Sequence, residues 1–475
     1  MSGSRTRFFN LTLLACAALF LAACGETPPV GTAITNVTII DGVNGVREEQ
    51  TLLIVDDRIA AIVNAGDPLP GSGPAVRIDG SGKYLIPGLW DMHVHLTYDD
   101  AFTDDMPRLF LRHGITSVRD TGGLMHKIQP VVDRMRAPDA LAPRVFYSGP
   151  LLDGNHVVYD GDSRPEIGVQ NATIEAARAR VRELEAAGVD FVKIYEMVSP
   201  DIFEALVDEA RSLDLPIAAH VPLSMVASRA GPAVDSMEHL RNIEMDCATN
   251  SPTLYEERLT ALAAEDIESG FALRSSLHRA QRLPAIANYD EARCERTIAS
   301  LRATMQVPTL GLLTLSSYSP FARPDWPAVM AQVPDAARDA WQAATDAFAE
   351  RSPDDVPDTT YAEWGLDMVG KMHAAGVPIG AGTDTPIGWA LPGDSLHVEL
   401  ERLVEAGLST FDALTSATLR PAEFNRVSHE IGTVNVGYYA DLLLLSENPL
   451  ADIRNTRAVD TVIAAGRVLP IDELR

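Results

Sequence analysis

Basic residues are scarce in this chain. Its 475 residues carry 39 Lys and Arg against 66 Asp and Glu, a formal net charge of -27. Neutralising a phosphate backbone takes clustered cationic side chains, so the imbalance excludes a nucleic-acid partner. It fits an acidic soluble surface, with at most a mild preference for cationic substrates. No internal repeat and no low-complexity tract is present. Cysteine is rare, with four in all, too few for a disulfide framework. The apolar stretch 11–23 is shorter than the roughly 20 residues a spanning helix needs. What is present is an apolar content of 46% and a charged content of 22%, as in a globular protein. The length exceeds one ordinary core and predicts a large domain with a smaller one.

The first residues read as a targeting segment. Arg5 and Arg7 precede the apolar stretch, which closes on Leu21, Ala22, Ala23 and Cys24. The pattern resembles a bacterial lipoprotein signal, residues 1–23, followed by a tether at 24–31. That resemblance implies lipidation of Cys24, with the lipid anchor holding the chain to a membrane in the cell envelope, facing the periplasm or the exterior. A plain secretory signal and an uncleaved anchor are the alternatives. Cys247 and Cys294 then remain to pair in an oxidising compartment, and their spacing sets no distance between them.

Short β-like runs separated by Gly, Pro and Asp turns fill residues 32–86, and the same texture returns over 430–475. Together they predict one discontinuous β-sandwich built from both ends of the chain. Between them, over 87–429, strand-like and helix-like segments alternate. Strands are expected at 115–120, 144–149, 189–195, 216–221, 234–240, 306–312 and 377–384. Helices such as 173–187 and 201–213 lie between them. With the strand opening near Leu85, the count is the eight of a (β/α)8 TIM barrel, an α/β fold. Residues 250–300 exceed a normal crossover, and Leu259, Leu262, Leu273 and Leu277 mark a helical insertion there. It is either a lid over the barrel mouth or a solvated appendage.

Polar side chains stand where these strands end. His93 and His95 are two apart on a buried strand, so both face the same way. Lys193, His220, His239 and Asp384 follow on later strands. Singly each has an ordinary explanation: a satisfied core histidine, a snorkelling Lys, an Asp capping a helix. Barrel enzymes, however, carry their reactive groups at the C-terminal ends of strands, and all six fall there in order.

In these residues the chain resembles the amidohydrolase superfamily, over about 32–469, and within it the imidazolonepropionase-like and prolidase-like dipeptidase branch. The resemblance implies two divalent metal ions. His93, His95 and Asp384 would hold the inner ion, His220 and His239 the outer one, and Lys193, carboxylated by CO2, would bridge them. His, carboxylate and carbamate donors suit zinc. Asp384 would also be general base and acid. The branch's carbonyl-polarising His maps onto His156, in a departed motif. The Tyr expected beyond His220 is missing, so Arg241 becomes either the group that binds a substrate carboxylate or a surface residue. The expected activity is a metal-dependent hydrolase of a small amide, a dipeptide or N-acyl amino acid. Alternatives are a lactonase, a cyclic amidase, a deaminase (disfavoured by Leu223 where a Glu would stand) or an inactive binding scaffold. A homo-oligomer is compatible with all of these.

Overall fold

The structure, a computed structural model, describes residues 31–71, 73–162, 164–350 and 357–474; the signal segment, Cys24 and the tether up to residue 30 lie outside them. Its centre is a set of short parallel strands. Leu89–Val94 pairs with Ile115–Asp120, which pairs with Arg144–Tyr147. Leu151–Asp153 continues that third strand after a break and pairs with Val192–Ile194. The series runs on through Ile217–Ala219, Ser236–Glu238 and Met305–Val307. Residues 377–385 then close the ring. Gln306 bridges to Ile379 and Val94 to Thr385, and the Met92 N–H donates to the Ala381 carbonyl at 2.9 Å. Eight parallel positions thus surround one interior, filled by residues such as Met92, Phe191, Ala218, Met305 and Val307.

The expected helices form where their signals stand. Ile174–Ala186 is capped by Thr173, whose hydroxyl accepts from the Ala176 N–H at 3.1 Å. Pro200–Ser212 starts on a Pro in its first turn. One expectation changes: the seventh strand stops at Val307 rather than 312, because Thr309 takes a left-handed φ of 50° and Leu310–Leu313 turns helical. Further helices, Trp326–Met330 and Asp335–Ala349, fill the excursion before Thr360–Ala374. The insertion is three helices, Ser251–Leu262, Gly270–Ala287 and Glu291–Ser300. A disulfide joins Cys247 to Cys294 across it.

Both chain ends do meet, but in one continuous eight-stranded sheet rather than two separately paired layers. Tyr84–Pro87 lies between Thr32–Asp41, to which it is parallel, and Leu442–Leu445, to which it is antiparallel. The four leucines 442–445 are all fully buried. Because side chains alternate along a strand, Leu443 and Leu445 join the barrel core while Leu442 and Leu444 join the sheet's own core. Leu85 and Ile86 divide in the same way. Apolar residues 85–92 are therefore two strands and not one. Gly88 is the pivot: a Cβ there would lie 1.9 Å from the Thr116 hydroxyl, so only Gly permits the chain to pass from sheet to barrel.

Candidate metal centre

The polar side chains at the strand ends converge. Nε2 of His93 and of His95 lie 3.2 and 3.1 Å from Oδ1 of Asp384. One ligand-type atom from each of these buried residues falls within 4.8 Å of the others, a spacing that suits one metal ion. The ring centroid of His239 is 4.6 Å from that of His93 and 4.7 Å from that of His220. Lys193 lies among them, 1% exposed. Its Nζ makes no hydrogen bond among the described residues, and Glu238 Oε1 stands 3.7 Å away. Burial lowers its amine to about 8, against the pull of Glu238 and with help from Arg119.

Each ring is oriented from behind. His93 Nδ1 lies 2.7 Å from Glu238 Oε2, and His95 Nδ1 3.2 Å from the Gly122 carbonyl. His220 Nδ1 meets Glu196 at 2.7 Å, and His239 Nδ1 meets the Thr309 hydroxyl at 2.6 Å. Every Nδ1 is thus engaged and every Nε2 is left for the centre. Such outer partners fix tautomer and aim in metal sites. Burial, with Lys193 beside it, holds His220 well below its usual pKa, and burial among the other rings does the same to His239. Both are therefore neutral, as ligands must be. Burial alone would raise Asp384, but His239, His93 and His95 hold its carboxyl well below the usual range. His239 and Asp384 also adopt left-handed φ values of 58° and 64°, a strained backbone for such residues and common at functional sites. With four imidazoles, one carboxylate and a buried amine that makes no hydrogen bond among the described residues, the donor set fits divalent metal ions.

The partners divide into two groups. Glu238 is tied into the barrel interior by Arg119, which donates to it at 2.8 Å and also to Ser236 and the Met92 carbonyl. Asp91 accepts from the His93 and Thr383 N–H groups, both at 3.1 Å. Glu196 instead reaches into the insertion: Arg274 donates to it at 2.8 and 3.0 Å, and His278 Nε2 lies 2.5 Å away. Burial would raise Glu196, but Arg274, His278 and Arg241 hold it well below the usual range. Helix Gly270–Ala287 therefore packs against the centre, with Arg274 on the cavity wall, and the insertion is not a solvated appendage. Sequence reading missed Glu238, Arg119, Asp91, Glu196, Arg274, His278 and Thr309. Ser236 and Glu238 did carry a signal, as polar residues two apart on a buried strand, and Arg274 and His278 another, as polar residues four apart on one helix.

The cavity over the centre is about 120 Å³ and is lined by the four histidines, Lys193 and Asp384, with Tyr159, Tyr195, Arg241 and Arg274 on its upper wall. Arg241 is not a surface residue; its side chain is 16% exposed and its Nε lies 3.5 Å from Glu196. His156, by contrast, is not brought here. It is half-buried on the wall of a separate cavity with Asn171 and Met197. The cause is Asp153, whose carboxylate accepts from the Met197 N–H at 2.7 Å and the Val158 N–H at 2.9 Å. The loop folds over Asp153, and Tyr159 faces the centre instead.

Known proteins match these same regions. The sequence pattern of the Amidohydrolase family covers residues 84–244 and 351–469. A dihydroorotase of Syntrophotalea carbinolica is 28% identical over 202 residues, 39% of this chain and 41% of that protein. An adenine deaminase of Rubrobacter xylanophilus is 46% identical over 66 residues, 14% of this chain and 10% of that protein. The chain thus spans less than half the length of these two curated relatives. Among solved structures, one assigned as a prolidase from Bifidobacterium longum is 25% identical, with a TM-score of 0.64, covering 94% of this chain and 98% of that one. A bottromycin amidohydrolase gives a TM-score of 0.70 at 21% identity, covering 94% of this chain and 89% of that one. The family pattern takes in more than half of the chain, from the His93 strand to His239 and again around Asp384, and the chain belongs to the amidohydrolase family.

Proposed function

We propose that the protein is a metal-dependent hydrolase that cleaves an amide bond of a small substrate carrying a carboxylate, a dipeptide or N-acyl amino acid. The observation that carries this reading is the cavity lined by four histidines, Asp384 and a buried Lys193 whose Nζ makes no hydrogen bond among the described residues. His93, His95 and Asp384 would hold one ion and His220 and His239 a second, and Lys193 would serve both as a carbamate. When bound, such ions acidify water and polarise a carbonyl oxygen. Asp384 Oδ1 holds the proton taken from the attacking water and passes it to the leaving nitrogen. Arg241 stands on the cavity wall beside Arg274, whose fork is spent on Glu196, and Arg241 Nε, without a hydrogen bond among the described residues, can donate to a substrate carboxylate. The Tyr195 ring lies 4.4 Å from that of His220 and lines the same cavity.

The dihydroorotase relatives favour a second reading on the same residues, hydrolysis of a cyclic amide. The test is metal analysis of the purified zinc-reconstituted protein with a panel of N-acyl amino acids, dipeptides, cyclic amides and lactones. Two ions per chain with turnover of linear amides is the expected result. Turnover of cyclic substrates alone selects the second reading, and one ion per chain removes the bridged centre.

We further propose that the chain works outside the cytoplasm, held by lipid on Cys24. The Cys247–Cys294 disulfide favours that placement, because such bonds persist in oxidising compartments. Cell fractionation of wild type against Cys24→Ser tests it: equal membrane retention of both removes the anchor.

A further inference from the structure

A second cavity adjoins the metal centre. It is about 280 Å³, well above the roughly 150 Å³ that holds a benzene ring. The two cavities share Leu312, which lines both. Neighbouring residues of one loop also divide between them: Asp384 and Ile387 face the centre, Thr383, Gly388 and Trp389 the second cavity. A group lying there would be one side chain away from the atoms of Asp384.

The wall chemistry is apolar and aromatic, from Leu315, Tyr318, Trp326, Trp389 and Val398. Its charges are already matched. Arg323 donates to Asp394 at 2.6 Å and to Asp325 at 2.7 Å. Arg402 pairs with Glu405 and lies 3.8 Å over the Tyr318 ring. Two polar groups depart from this pattern: Arg402 Nε makes no hydrogen bond among the described residues, and neither does one oxygen of a buried carboxyl. Glu399, fully buried on helix Asp394–Glu405, accepts from the Gly311 N–H at 2.7 Å through Oε2, while Oε1 has no hydrogen-bond partner among the described residues. Burial pushes its carboxyl up to about 8, so at neutral pH it is an uncharged donor rather than an anion. The wall therefore offers no unpaired charge to an ionic ligand, and offers hydrogen bonds from Glu399 and Arg402 Nε to an uncharged one.

We infer that this cavity takes the acyl side of the substrate, a bulky, uncharged, aromatic or branched group bearing a hydrogen-bond acceptor. The inference rests on the hydrolase reading for its direction. The carboxylate end lies with Arg241 on one wall of the centre, the scissile amide at Asp384, and the acyl group beyond Leu312. The site then selects against small acyl groups, which leave the apolar walls wet.

The test compares N-phenylacetyl-alanine with N-acetyl-alanine on the zinc-reconstituted full chain. The expected preference in kcat/KM is on the order of 100-fold. Val398→Trp, with Leu315→Trp as a second filling variant, should cut that preference at least about tenfold while N-acetyl-alanine turnover and metal content stay near wild type. A preference unchanged in both folded variants overturns the inference. A second arm needs no turnover: benzyl methyl ketone, neutral and without a hydrolysable bond, is titrated by quenching of tryptophan fluorescence. Ketone binding lost in both variants, in a protein that cleaves neither amide, keeps the cavity and removes the amide reading. No ketone binding together with no preference removes the cavity.

Discussion

The two halves of the candidate metal centre are held by different kinds of structure. The His93, His95 and Asp384 side is supported from within the barrel, through Glu238, Arg119, Ser236 and Asp91. The His220 and His239 side is supported from above, through Glu196, Arg274 and His278 on the insertion and through Thr309 on a turn. The first set is continuous with the core and its loss must cost folding stability. The second belongs to the insertion and the turn at Thr309, and its loss should cost occupancy and order around the cavity. One centre is thus coupled to two separable kinds of stability.

The largest effect is expected where the halves meet. Lys193→Ala should leave a soluble fold but lose most bound metal and nearly all hydrolysis, well beyond the roughly 10–100-fold that follows loss of an outer partner. Short carboxylic acids should restore part of both by standing in for a carbamate. Two ions per chain and full activity in that variant would remove the bridge.

Next comes the inner support. Glu238→Leu leaves Arg119 buried and unpaired, which should lower stability by about 3–5 kcal/mol, read by urea denaturation. A loss under about 1 kcal/mol would put the inner half on the same footing as the outer. The disulfide is third. Removing it from the 47-residue span, as Cys247→Ser with Cys294→Ser, should cost about 2–4 kcal/mol and raise hydrogen exchange first in helices Gly270–Ala287 and Glu291–Ser300.

Glu196→Gln should be milder for the fold and sharper for the cavity. Metal affinity at the outer position should fall about 10–100-fold, with melting temperature nearly unchanged. Equal loss of both ions would erase the distinction between the halves. Smallest is His156→Asn. Facing another cavity, it should leave kcat/KM within about twofold, the scale of an ordinary surface change. A large fall with metal retained would mean that the loop over Asp153 reopens when substrate binds.

The converging polar side chains were legible because a strand leaves a two-residue signature. His93 and His95 stand at that spacing inside an apolar run, and His220, His239 and Asp384 close runs of the same texture. Their supports were less so. Arg274 and His278 show a helical spacing, but nothing local names Glu196 as their partner 78 and 82 residues away. His156 was misplaced for a related reason: where a loop goes depends on which backbone groups one buried carboxylate gathers, and Asp153 gathers Val158 and Met197. The sheet was legible as strands but not as an order, since Tyr84–Pro87 pairs with residues more than 350 positions later. The second cavity had no signal at all, being made by three helices and two loops whose packing no periodicity encodes.

That late pairing has a consequence for the life of the nascent chain. Until residues 442–445 have been made and brought in, the edge at Tyr84–Pro87 keeps open backbone N–H and C=O groups and exposes Leu85 and Ile86. An unpaired apolar edge is a template for joining other chains, and contacts of such sequence separation form slowly. The seam between sheet and barrel, closed last, thus makes the unfinished protein a client for holding chaperones until its C-terminal strands arrive. A chain cut after residue 440 should remain such a client, aggregating at concentrations where the full chain stays dispersed.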